Sequence, residues 1–203
     1  YLSAIIDLYD RYPVSYVISC RNDNQLVFKT FDKAVKANPD AKPIFHSDRG
    51  FQYTNKTFQR KLINQEMQQS MSRVGHCIDN GPTEGFWGII KTEMYEIKDE
   101  ESLRFVIKDY LRFYAEERIQ ERYECKTPLE IRTAALAAEI PMEYPIPENK
   151  RIKKIKKNGV HRKMTISHSE YGHLPNTYFR YLTCLLDRGH ISLTCSYYDE
   201  WVK

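Results

Sequence analysis

With 203 residues the chain has room for one domain, or for one domain and an appendage. Hydrophobic residues make up 41%, enough for a core, yet no apolar run approaches the roughly 20 residues of a membrane span. A formal net charge of +4 permits a nucleic-acid partner without requiring one, and five scattered cysteines fit a reducing, cytoplasmic interior better than a disulfide framework. Tyr1 stands where a methionine would, with no basic and apolar leader behind it, which implies an upstream portion.

Residues 2–8 read as a strand and residues 14–19 as its antiparallel neighbour, with Asp10, Arg11, Tyr12 and Pro13 making the turn. Asn24 is placed to cap a helix over about 25–37, with Val27, Phe31 and Ala34 or Val35 on one face. Pro39 to Pro43 end that helix and lead into a short strand through Ile44 and Phe45. A helix over about 56–65 has Phe58, Leu62 and Ile63 as its apolar positions, and residues 67–72 alternate weakly as a strand. Residues 73–79 form a loop of the kind that closes over active sites. Beyond the helix that starts near Pro82, Asp99 is placed to cap a long amphipathic helix with Leu103, Val106 or Ile107, Tyr110 and Tyr114 in register. Thr127 and Pro128 open one more short helix, which stops before Pro141.

Chemistry concentrates between His46 and Lys91. Asp48 follows the Ile44 strand and precedes Gly50, and a carboxylate there lies at the rim of a sheet, where ligands bind. Asn80 suits a helix N-cap and Pro82 the first turn, so Glu84 falls in the first turn of a helix. Lys91, seven residues on, returns to the same face roughly 10 Å along the axis, with Gly88 leaving a gap between them. A carboxylate, a gap and a cation on one face suit a metal ion at one end and a phosphate backbone at the other. Taken singly, an Asp after a strand is a turn former and a Glu in a first turn is a dipole partner.

Two stretches remove that ambiguity together. His46-Ser47-Asp48-Arg49-Gly50-Phe51-Gln52-Tyr53 resembles the H-S-D-x-G-x-Q-Y signature of integrase-core transposases from bacterial insertion sequences, relatives of retroviral integrases. Asp79-Asn80-Gly81-Pro82-Thr83-Glu84-Gly85-Phe86, followed by Lys91 and Glu93, resembles their D-N-x-x-x-E-x-F-x-x-x-x-K-x-E signature. Thirty-five residues separate Asp48 from Glu84, the spacing these enzymes share between their second and third catalytic acids. The resemblance runs from about residue 1 to 157. One departure is Gly85, where the family commonly has serine, and a small residue in either case keeps that face open.

The resemblance implies a ribonuclease-H-like α/β core, a mixed sheet flanked by helices. It assigns Asp48 and Glu84 as catalytic acids that hold Mg2+ or Mn2+, since two such ions set about 3.5–4 Å apart serve phosphoryl transfer on DNA. Lys91 resembles the lysine placed on DNA near the site, and Asn80, Arg49 and Arg73 are weaker DNA-binding candidates: Asn80 also reads as a cap and the arginines as exposed side chains. His46 is placed either to orient Asp48 or to face solvent. Asp7, acidic and on a strand, is a lesser candidate for the first catalytic acid; it falls in the family's Y-L-x-x-I-x-D run, where a structural or turn-supporting role is expected. Implied partners are element ends and target DNA, with self-association into multimers and no membrane.

Two features depart from the family pattern. Its first strand, which carries the first acid in a D-x-T context, is expected upstream, so the chain reads as an N-terminally truncated core whose sheet lacks its central strand. Two open central edges would follow, and each buried unpaired backbone group costs about 1–3 kcal/mol. The expected division is a catalytic core over 1–135, a basic extension over 136–157 and an unassigned tail over 158–203. The basic run at 150–157 reads equally as a phosphate grip and as a solvated tail, and the tail's four histidines and two cysteines match no zinc-module spacing. Three functions remain open at this point: a transposase core performing strand cleavage and transfer, an inactive remnant that binds DNA or oligomerises, and a general ribonuclease-H-like nuclease.

Overall fold

In a computed structural model, the described residues are 1–74, 77–94, 100–144 and, as backbone, the strand at 181–187. Strands β1 (Leu2–Asp7) and β2 (Pro13–Ile18) form an antiparallel hairpin, followed by α1 (Asn24–Ala37), β3 (Ile44–Ser47), α2 (Lys56–Asn64) and β4 (Gln68–Met71). A short 3-10 turn at Cys77–Asn80 leads into α3 (Gly81–Glu93), then α4 (Glu100–Glu116), α5 (Pro128–Ala137) and β5 (Tyr181–Asp187). The sheet order is β2-β1-β5-β3-β4, with β5 antiparallel to β1 and parallel to β3. This mixed α/β arrangement fits a ribonuclease-H-like core.

The period-2 pattern of β1 sends its buried side chains to two separate cores. Ile5 faces Val27, Phe28 and Phe31 of α1 together with Phe45, Tyr53, Phe58 and Leu62. Leu2, Ala4 and Ile6 face Phe86, Trp87 and Ile90 of α3 and Ile107, Leu111 and Tyr114 of α4. Helices α1 and α2 therefore cover one face, and α3 and α4 the other. Phe58 is the hub of the first core, its ring 5.3 to 6.0 Å from those of Phe28, Phe31, Phe45 and Tyr53. Burying each such ring contributes about 1.5–3 kcal/mol.

Several local expectations change. The cap of α1 is Asp23, whose carboxylate accepts the Leu26 N–H at 3.0 Å; Asn24 is already helical. Ile63 is 69% exposed, because α2 is short and turns only Phe58 and Leu62 inward. Thr127 and Glu130 close a reciprocal capping box around the start of α5. Asp99, the basic run at 150–157 and the tail's histidines lie outside the described residues.

The largest difference concerns the sheet's centre. The place between β1 and β3, expected to stand open, is filled by β5 from the tail. Leu2 to Asp7 pair with Asp187 to Leu182, and Ile44 to Ser47 pair with Tyr181 to Cys184. The physical reason is the one that made an open centre costly: backbone N–H and C=O groups on two inner edges take any strand that can pair with both.

Candidate functional site

Asp48 is the first residue past β3, and β3 is held on both sides by parallel pairing to β4 and β5. Its carboxylate Oδ1 accepts the Gly50 N–H at 2.8 Å, a tight Asx-type turn that bends the chain away from the sheet. A Cβ at position 50 would stand 2.9 Å from Asp48 Oδ1 and 3.3 Å from Gln52 Oε1, so a side chain there would push the Asp48 carboxylate aside. Gln52 and Tyr53 then turn inward, Gln52 donating to Asn22 Oδ1 at 3.0 Å and Tyr53 joining the aromatic core. Asp48 is thus half-buried on a pinned turn.

His46 does neither of the two things expected of it. Its ring nitrogens lie 3.0 Å from Ser70 Oγ and 3.2 Å from Ser72 Oγ, both on the β4 side. Burial pushes its pKa below the ordinary value, against the opposing pull of Asp79 and Asp48. Arg49 is exposed, and its Nε donates to the Ser72 carbonyl at 2.9 Å, tying the Asp48 turn to the end of β4.

Arg73 sits in a different arrangement from the one expected of a free surface cation. Its Nε and Nη2 donate to the two oxygens of Asp79 at 2.8 Å each, and its backbone N–H reaches Asp79 Oδ2 at 3.1 Å. The ends of the 73–79 loop are joined by this clamp, which positions the approach to α3. Asp79 has a role beyond its place in the motif; an Arg and an Asp bracketing a five-residue loop ahead of a helix were the available signal.

Asn80 is buried, with Oδ1 accepting the Thr83 hydroxyl at 2.9 Å, and it makes no side-chain cap to the helix backbone. Pro82 occupies the first turn of α3, and Glu84 lies there too, at the positive end of the helix dipole. Partial burial pushes the Glu84 pKa upward. Thr83, Phe86, Trp87, Ile90 and Met94 form the buried stripe, so Glu84, Gly88 and Lys91 share the exposed face as the register required.

Asp7 lies elsewhere. It pairs with Leu182 of β5, which also pairs with Phe45, so it is level with a residue three positions before Asp48. That is about 10 Å along the strands and two strand spacings, about 10 Å more, across the sheet. Its carboxylate accepts the Tyr9 N–H at 2.8 Å and Arg132 Nη2 at 3.1 Å, the turn-supporting role expected of it. Among the described residues, no three His, Cys, Asp or Glu side chains gather closely enough to hold a metal ion. No helix among them is long and apolar enough to cross a membrane.

Comparison with known proteins bears on the same segments. The integrase core domain family matches residues 1–77. Over 136 residues the chain is 36% identical to the putative transposase InsK for insertion sequence element IS150 from Escherichia coli K12, covering 65% of this chain and 48% of that protein. It is 36% identical over 139 residues to an uncharacterized transposase-like protein of Haemophilus influenzae, with 67% and 64% covered. With the transposase for insertion sequence element IS904 from Lactococcus lactis it shares 31% identity over 134 residues, covering 63% and 53%. Over these segments the chain is similar to the integrase-core transposases of insertion sequences. It spans about half to two thirds of the length of these relatives. The two sequence motifs fall at the β3 rim and at the start of α3.

Proposed function

We propose that the β3 rim and the exposed face of α3 form the strand-cleavage and strand-transfer site of a DNA transposase. The observation that carries this reading is the state of the two acids. Asp48 stands on a pinned turn with a single N–H on its carboxylate among the described residues, and Glu84 stands exposed in a first helical turn. Both offer hard oxygen donors of the kind Mg2+ or Mn2+ takes, and Asp48 and Glu84 are the residues that would hold such an ion. When bound, the ion supplies charge neutralisation at phosphorus and lowers the pKa of the attacking oxygen's proton. The chain's own residues position the rest: Lys91 lies down the same helix face for a backbone phosphate, and Arg49 is held beside Asp48 for another. Asn80 and Arg73 act through α3 and its approach in this reading, Asn80 by its Thr83 bond and Arg73 by its clamp on Asp79. The substrates are element ends and target DNA, and the working form is a multimer.

A second reading is a DNA-binding or oligomerising remnant that does not cut. It is favoured by the finding that neither Asp48 nor Glu84 belongs to a group of three potential metal ligands among the described residues. A general ribonuclease-H-like nuclease gains nothing from the geometry. One experiment separates these: nicking of an end-labelled duplex by the purified chain with and without Mg2+ or Mn2+, beside Asp48→Asn and Glu84→Gln. Metal-dependent nicking that drops by about 1000-fold in either variant supports the transposase site, the loss expected when a metal ligand is removed. DNA binding without nicking supports the remnant. Nicking that survives both substitutions overturns the assignment of these acids.

A further inference from the structure

The turn that carries Asp48 also holds Phe51 out in solvent, 59% exposed. A single exposed aromatic is ordinary on a protein surface. What distinguishes Phe51 is how firmly everything around it is fixed. Before it, Gly50 gives its N–H to Asp48 Oδ1 at 2.8 Å and its carbonyl to the Tyr53 and Thr54 N–H groups at 3.0 and 3.2 Å. After it, Gln52 is 3% exposed and bonded to Asn22, and Tyr53 is 1% exposed between Phe45 and Phe58. Gln69 Nε2 adds a bond to the Tyr53 carbonyl at 2.9 Å. The ring cannot swing into the core without breaking this set, so it stays three residues from Asp48.

Its neighbours on the rim complete a recognisable chemistry. Arg49 is exposed two residues earlier, its Nε bonded to the end of β4, and Val74, just past β4 at the same end of the sheet, is 77% exposed. An exposed ring and an exposed guanidinium two residues apart on one pinned turn, which also carries Asp48, suit one ligand class. A nucleobase can stack on the ring while its phosphate meets the cation. In an intact duplex each base is already stacked on its neighbours, so the ring gains a partner only where a base is unpaired.

We propose that Phe51 is the stacking platform for an unpaired nucleobase next to the phosphate at Asp48, giving the chain a preference for frayed or unpaired DNA ends. This rests on the reading of the β3 rim as a DNA site. The test uses the whole chain, without added metal, and fluorescence anisotropy of two labelled duplexes of one length, one fully paired and one with three mismatched pairs at an end. The wild type should bind the mismatched end roughly 5- to 100-fold more tightly, the range expected for one base stacked on an aromatic ring. Phe51→Ala and Phe51→Leu should bring that ratio to about one, while Phe51→Trp keeps it; the leucine variant separates loss of the ring from loss of apolar area. Binding of both duplexes with no preference, or a preference that survives Phe51→Ala and Phe51→Leu, overturns the platform and leaves the DNA site standing. Failure of the wild type to bind either duplex overturns the DNA site and the platform with it.

Discussion

At the β1–β2 turn, Asp7 and Asp10 are almost wholly buried and share one guanidinium, with Arg132 Nη2 3.1 Å from Asp7 Oδ2 and Nε 3.0 Å from Asp10 Oδ2. Past the far end of β3 and in the first turn of α3, Asp48 and Glu84 are half-buried and exposed, with no arginine on either among the described residues. Both regions carry two acids near a loop, so a count of carboxylates would not tell them apart. Their surroundings do. Acids whose lone pairs are spent on a guanidinium and on the Tyr9 and Tyr12 N–H groups hold the fold together and have nothing left for a cation. Acids at a rim with an oxygen open to solvent can take one.

The sharpest way to break the contrast is to remove the shared guanidinium. Arg132→Ala leaves two aspartates buried on the hairpin with Arg11 as the remaining nearby cation. Separating a buried ion pair in this way costs about 3–5 kcal/mol. Urea unfolding followed by far-UV circular dichroism should show it. An unmoved midpoint would mean that the cluster is not what anchors α5 to the hairpin.

At the rim, the matching perturbation should spare the fold and damage the site. In Gly50→Ala the new Cβ competes with Asp48 Oδ1 for the same space, 2.9 Å away, and the carboxylate must move by several tenths of an ångström. Misplacement on that scale lowers catalysis by about 10- to 100-fold. Metal-dependent nicking should fall by that factor with the dichroism spectrum unchanged. If activity holds, Asp48 does not need its present orientation.

How much of this was legible beforehand depended on the kind of force involved. The helices at 24–37, 81–93 and 128–137 follow from side-chain periodicity, Pro82 and the Thr127 box, all of which are local in sequence. The short apolar run at 43–45 placed Asp48 at a strand end, and the geometry agrees. The Arg132 cluster was not legible, because it joins residues more than 120 positions apart through a packing of α5 that no local pattern encodes. The role of β5 was missed for a related reason. Tyr181 to Leu186 is an apolar-rich run that reads as a buried strand on its own, but its partners are chosen by open backbone edges elsewhere in the chain. His46 was misread because its serine partners come from the neighbouring strand, which only the register reveals.

Proton linkage sharpens the comparison further. Burial, with Asp10 beside it, raises the Asp7 carboxyl from its ordinary 3.8 to about 7, against the opposing pull of Arg132, the Tyr9 N–H and Arg11. Between those two values the folded chain keeps a proton that the unfolded chain has released. The contribution is therefore fully present below about pH 4 and is lost as the pH rises to about 7. Asp7→Asn should flatten the fall in urea midpoint across that window. An unchanged slope would place the proton on Asp10, whose pKa is raised by the same burial.

The smallest expected effect tests which helical layer meets DNA. Lys91 lies on the exposed face of α3 with Glu84, whereas Lys61 is on α2, which covers the other face of the sheet. A lysine that neutralises one phosphate releases its share of condensed counterions, so its loss should make the log–log dependence of DNA affinity on salt shallower by about 0.9. The drop in affinity should be alike for all duplex sequences, because a phosphate contact carries no base information. Lys91→Ala should show both effects in anisotropy titrations over a salt series, and Lys61→Ala neither. Equal slopes for the two variants would mean that the backbone does not run along α3. The carboxylate and the cation of that face would then be unrelated features of an exposed helix, and the case for Glu84 would rest on its motif alone.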